Sequence, residues 1–163
     1  IIRQQTLALQ GIRFHITTTS AGGMQTLRIE PSGLTMDNTT VEQTIEGTVT
    51  GAEVADLNTD GSPELYIYVR SSDAQRAGSV VAYATNRQKS MSSIFMAPDQ
   101  PSAPAPSGYR GHDTFSVDGD TLVHQFPRYR SMDADDHPTG GMVTTRYHLQ
   151  MGEASWQLRR QAR

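Results

Sequence analysis

Glu64-Leu65-Tyr66-Ile67-Tyr68-Val69-Arg70 is the stretch that decides the fold class. It alternates with the two-residue period of an extended chain. Leu65, Ile67 and Val69 therefore point to one face, and Tyr66, Tyr68 and Arg70 to the other. β-branched and aromatic side chains suit a pleated surface. Tyrosines at strand positions, Tyr83 included, serve more often in a core or a dimer face than as ligand stackers.

The β signal extends outward on both sides. Residues 79–84 form a more continuously apolar run, as a central strand does, and residues 88–96 fit either a short helix or a further strand. Upstream, residues 7–18 read as β and break at Gly11. Residues 25–29 form a short strand ending in the turn Pro31-Ser32-Gly33, and residues 41–54 form one or two strands bent near Gly47 or Gly51. Toward the C-terminus, residues 114–117 and 121–126 flank Asp118-Gly119-Asp120, a hairpin signal. Residues 142–151 alternate again, with Val143, Thr145, Tyr147 and Leu149 on one face, before Gly152-Glu153 turns the chain into Trp156-Gln157-Leu158. Strands joined by short turns predict an all-β fold, an antiparallel β-sandwich or flattened barrel of about eight strands. One domain over residues 1–163 is expected, without internal repeats.

Composition narrows the function. The chain has 163 residues, 36% hydrophobic and 19% charged, enough for a proper core. A net charge of −3, with a single lysine (Lys89) among 14 basic residues, argues against nucleic-acid or anionic-membrane binding. The absence of cysteine excludes a disulfide scaffold, a thiolate metal site and a thiol nucleophile. No apolar run reaches the roughly 20 residues of a membrane-spanning helix. A chain that starts at Ile1 is expected to be a mature product whose signal peptide has been removed.

Two stretches carry candidate chemistry. Asp56-Leu57-Asn58-Thr59-Asp60-Gly61 places oxygen ligands at alternate positions before a turning glycine, as the first half of a calcium loop does. The twelfth position, where a glutamate is expected, is Ile67, and Glu64 comes three residues early. The competing reading is a turn whose side-chain oxygens satisfy loop amides.

The second stretch is Ser107-Gly108-Tyr109-Arg110-Gly111-His112-Asp113, behind a segment stiffened by Pro98, Pro101, Pro104 and Pro106. Ser107, His112 and Asp113 contain the residue types of a hydrolytic triad, but there is no Gly-x-Ser-x-Gly elbow. The remaining histidines, among them His124 and His148, show no metal-binding spacing and read as solvated. Asp133, Asp135 and Asp136 read as a polar turn, and Arg159, Arg160 and Arg163 as a frayed tail.

Several of these motifs, in their order along the chain, resemble the bacterial periplasmic inhibitors of invertebrate-type lysozyme. They are Ala55 to Leu65, Ser107 to Asp113, Phe126-Pro127-Arg128-Tyr129, Pro138-Thr139-Gly140-Gly141, and Tyr147 through Ala154. The resemblance spans residues 28–160. It implies a periplasmic, dimeric β-sandwich that is not an enzyme and needs no cofactor or metal. A rigid loop of such proteins enters the lysozyme cleft and hydrogen-bonds its catalytic carboxylates. Carried onto this chain, Ser107 and Tyr109 are the inserting groups and Gly108 shapes the loop. Arg110, Arg128 and Arg130 supply further contacts. The alternatives are a calcium-dependent binding module built on Asp56, Asn58 and Asp60, and a hydrolase using Ser107 and His112.

Overall fold

The computed structural model describes residues 3–22, 24–72, 77–96, 108–152 and 155–161, and among them it is all-β. The strands are β1 (Arg3–Leu9), β2 (Ile12–Ala21), β3 (Met24–Ser32), β4 (Val41–Ile45), β5 (Thr48–Ala55), β6 (Glu64–Arg70), β7 (Gly78–Asn86), β8 (Ser90–Ser93), β9 (Phe95–Met96), β10 (Thr114–Asp118), β11 (Thr121–Pro127), β12 (Met142–Met151) and β13 (Trp156–Arg160). They form three sheets, ordered β1-β2-β3-β4, β5-β6-β7-β8 and β10-β11-β12-β13-β9. All pairings are antiparallel except that of β13 with the short β9.

The expected antiparallel all-β, sandwich-like architecture is present, with more strands than the sequence indicates. Residues 88–96 resolve as strands β8 and β9. Pro31 and Ser32 continue β3 rather than ending it, pairing opposite Phe14 and Arg13. Arg159 and Arg160 lie in β13, opposite His148 and Tyr147, instead of fraying; Arg163 lies outside the described residues.

The break in residues 41–54 falls at Gly47, where the chain leaves the first sheet and enters the second. Gly47 has φ +133°, and a Cβ there would lie 2.2 Å from the carbonyl oxygen of Arg70. Only glycine lets the backbone pass that close.

The second sheet lies between the other two and is covered on both faces. Leu65, Ile67 and Val69 pack with Ile12, Phe14, Ile16, Leu27 and Ile29 of the first sheet. Tyr66 and Tyr68 pack the other way, with Leu122, Tyr147, Leu149 and Leu158 of the third. The alternation in β6 thus separates two cores, one built around Leu65, Ile67 and Val69 and one around Tyr66 and Tyr68, and both faces are buried. Leu65, Tyr66 and Ile67 are all 0% exposed.

The two ends of β6 anchor different loops. Glu64 at one end receives the loop of residues 56–63, and Arg70 at the other reaches Asp113. A strand of this length separates them by about 20 Å.

Candidate functional site

Three of the motifs singled out in the sequence meet at one place. Tyr109 forms an isolated antiparallel bridge with Arg128, and the Tyr129 amide donates to the Gly108 carbonyl at 2.9 Å. On the opposite side of the same segment, the Arg128 amide donates to Gly141 and the Gly140 amide to Arg128, both at 2.8 Å. Residues 128–129 are therefore held between the loop at 108–110 and the turn at 140–141. The close approach requires glycine at 108, where φ is +82° and a Cβ would lie 2.7 Å from Arg128 Cγ and 2.8 Å from the Tyr129 carbonyl oxygen. Ser107 lies outside the described residues.

The side chains divide into those that hold the loop and those that face water. Tyr109 is half-buried, its ring edge-on to Phe126 at 5.0 Å between centroids. Arg110 is turned onto the protein. Its guanidinium donates to the Asp133 carbonyl at 2.8 Å and the Arg130 carbonyl at 3.2 Å, and lies 4.8 Å from the Tyr129 ring centroid. Arg128 and Arg130 are exposed, and neither takes part in an ion pair among the described residues.

The acidic turn is a second brace. The Asp133 carboxylate accepts from the Arg130 amide at 2.7 Å and the Thr139 amide at 2.8 Å, and also from the Thr139 hydroxyl. The bonds from Arg130 and Thr139 hold its carboxyl below the ordinary range. The Tyr129 hydroxyl donates to the Asp135 carbonyl, and the Asp135 carboxylate meets His112 Nε2 at 3.1 Å.

Beneath the loop sits Asp113, 1% exposed. Its carboxylate accepts from the Gly78 amide, meets His124 Nε2 at 2.7 Å, and lies 3.5 Å from the Arg70 guanidinium. Burial alone would raise its pKa, but the bonds from His124 and Gly78 outweigh it and hold the carboxyl below its usual value. His124 is correspondingly not solvated; it stacks on Phe115 at 4.5 Å. His112 and Asp113 are thus each committed to a different partner. A cleft of about 290 Å³, lined among others by Glu53, Tyr68, Arg70, Asp113 and Phe115, opens beside this anchor.

No family model, curated protein or solved structure matches the chain.

The Asp56 loop forms a separate group at the far end of β6. The Asp56 carboxylate accepts from the Asp60 amide at 3.1 Å, the Gly61 amide at 2.9 Å and Gln10 Nε2 at 3.0 Å. Asp60 accepts from the Ser62 amide at 2.9 Å. These are the side-chain-to-amide bonds of a turn, as one of the two sequence readings expected. Glu64, 1% exposed, closes the loop from the strand by accepting from the Leu57 amide at 2.7 Å. Burial pushes its carboxyl up to about 8.

The sequence did not reveal Gly78, Phe126 or the Asp113–His124 pair as parts of the loop's support. Asp113, just ahead of β10, and His124, on β11, lie 11 positions apart, and their meeting depends on the β10–β11 hairpin register. That register, read from the Asp-Gly turn, was the one available signal.

Proposed function

We propose that this chain is a protein inhibitor of invertebrate-type lysozyme that acts by presenting the loop around Gly108 to the enzyme's active-site cleft. The observation that carries the reading is the Tyr109–Arg128 bridge. It gathers the Gly-Tyr-Arg-Gly-His-Asp, Phe-Pro-Arg-Tyr and Pro-Thr-Gly-Gly motifs into one braced surface on which Arg128 and Arg130 are exposed.

The chemistry of the target favours such a surface. A lysozyme keeps one catalytic carboxyl protonated and the other ionised. Hydroxyl donors and guanidinium groups are suited to that pair, and charge-assisted hydrogen bonds are the strong ones. A loop pinned to a neighbouring segment loses less conformational entropy on docking, which raises affinity by lowering the cost of binding. In this reading Tyr109 and Ser107 approach the carboxylates, Arg128 and Arg130 contact the rim, and Arg110 stiffens the loop from within. The protein acts in the periplasm, as a homodimer, and turns nothing over.

The deciding experiment is lysis of a peptidoglycan suspension by invertebrate-type, chicken-type and goose-type lysozymes, with and without the protein. Selective protection against the invertebrate type is the expected result. Undiminished lysis by all three would overturn the reading.

A further inference from the structure

The cleft of about 290 Å³ beside Asp113 carries an unbalanced charge that the inhibitor reading does not use. It lies between β10, an edge strand of the third sheet, and strands β5 to β7 of the second. Two of its ionised groups, Arg70 and Asp113, stand 3.5 Å from each other. The third, Glu53, forms no ion pair among the described residues. Its Oε2 accepts from the Val117 amide at 3.1 Å, which leaves Oε1 as the open acceptor.

A bulge in β5 places Glu53 on this face. Val49 pairs with Val69 and Gly51 with Tyr68, so Thr50 is an extra residue. Beyond the bulge Glu53 lies opposite Tyr66; unbroken pairing would set it opposite Leu65, on the aliphatic face. Bulges recur beside binding sites because they re-aim a side chain in this way.

The cleft is not imposed by the backbone. Gly51 lies opposite Tyr68, and its φ is outside the left-handed region. A Cβ there would stand 3.8 Å from Tyr68 Cδ2, an ordinary contact. A larger residue is therefore allowed at 51, and its absence leaves the space over the Tyr68 ring open.

Tyr68, in the wall of the cleft, is 9% exposed, and its hydroxyl makes no hydrogen bond. Burial raises the phenol's pKa, and the Glu53 carboxylate adds to the rise without the two groups reaching hydrogen-bond geometry. A buried hydroxyl with no partner is costly, and its oxygen can accept as well as donate.

We propose that this cleft binds a primary alkylammonium group, which donates to the Glu53 carboxylate and the Tyr68 hydroxyl while its stem packs on the Phe115 ring. Glu53 repels an anion, and the Arg70–Asp113 pair leaves the net charge of the walls negative. With one carboxylate oxygen already engaged, the compact ammonium suits the site better than a guanidinium, which favours both oxygens. The Phe115 ring adds attraction for a cation. The volume is at the small end of ligand pockets, roughly 300 Å³, and fits a short amine or a single lysine side chain.

The test is titration of the full chain with n-butylammonium chloride, followed by amide NMR shifts. Nα-acetyl-lysine methylamide and tetramethylammonium chloride are run in parallel. Saturable shifts at the Thr50, Glu53 and Val117 amides are expected for the primary amines, with half-saturation below about 10 mM. The tighter of the two identifies the source, a free amine or the lysine of a peptide. Glu53→Gln, whose amide oxygen can keep the Val117 bond, should weaken binding by about tenfold or more. Tyr68→Phe should weaken it by about threefold or more, with a melting temperature no lower than the parent's, because the change removes an unpaired buried hydroxyl. Gly51→Leu should fill the cleft and abolish binding in a folded protein. No saturable shift up to about 50 mM, shifts confined to other residues, or unchanged binding in folded Glu53→Gln would overturn the proposal. Equal binding of tetramethylammonium, which cannot donate, would overturn the role given to the ammonium hydrogens. Lysozyme inhibition is not a readout here, so this result and the failure of the inhibitor reading are distinguishable.

Discussion

Tyr109 and Arg128 face one another across a single antiparallel bridge outside the regular strands. Through that pairing a loop distant in sequence from β12 shares a surface with the Thr139–Gly141 turn. The two partners differ in what they touch: the Tyr109 ring packs against Phe126, and Arg128 is exposed. That difference sets what the removal of each should do.

Replacing Tyr109 by alanine removes both a contact for the lysozyme and a ring pair within the protein. Inhibition should weaken by the ~2 kcal/mol or more of an aromatic hot spot, about 30-fold. Stability should fall by the ~0.5–1.5 kcal/mol of an edge-to-face pair. Tyr109→Phe keeps the packing and reports on the hydroxyl alone. Inhibition constants and thermal melts of both variants check this, and unchanged inhibition in Tyr109→Ala would place the contact elsewhere.

Arg128→Ala and Arg130→Ala alter exposed groups with no internal ion pair among the described residues. Their melting curves should match the parent to within about 0.5 kcal/mol. Association with lysozyme should slow and lose part of its salt dependence, as when a rim charge is removed. Stopped-flow association at two ionic strengths distinguishes this from a packing effect.

Gly108→Ala forces a Cβ into Arg128 and Tyr129 at a backbone angle that disfavours any side chain. Gly119→Ala, with φ +63° and nothing within 4 Å, is strained without a clash. The second change should cost about 1 kcal/mol and leave inhibition intact. The first should cost more and abolish inhibition by displacing the loop. Equal effects on inhibition would mean that the close approach at 108 has no functional role.

Asp113 should make the fold acid-sensitive. Its folded pKa is depressed below the ordinary 3.8. It therefore contributes stability that is fully present above the unfolded value and is lost as pH falls through the folded one. The melting temperature should drop steeply below about pH 4, and Asp113→Asn should flatten that drop while lowering stability at neutral pH. A variant as acid-sensitive as the parent would shift the cause to other carboxylates.

The strands and their facing were legible wherever a short-range signal existed. The two-residue alternation of 64–70 and 142–151 and the Asp-Gly turn at 118–119 report steric and solvation preferences of adjacent residues. The edges of those elements were less legible. Pro31 stays in β3 because its partner is Phe14 on β2, and Arg159 and Arg160 stay in β13 because β12 is there to pair with them. The candidate loop was visible as glycines among polar groups, but the duties of its members were not. Arg110 carries the same charge as Arg128, and only the positions of the Asp133 and Arg130 carbonyls turn it inward.

The sequence by itself therefore determined that the chain is β, that it turns at Gly11 and after Asp118, and which side chains share a face. These depend on contacts between near neighbours, which any folded arrangement of the strands must respect. Only the tertiary structure decided that both faces of β6 are buried, that Asp113 answers to His124 rather than to a triad, and that Glu64 closes the Asp56 loop. Those outcomes depend on which strands lie side by side, and sheet order is set by the burial of whole faces, a property no local stretch contains.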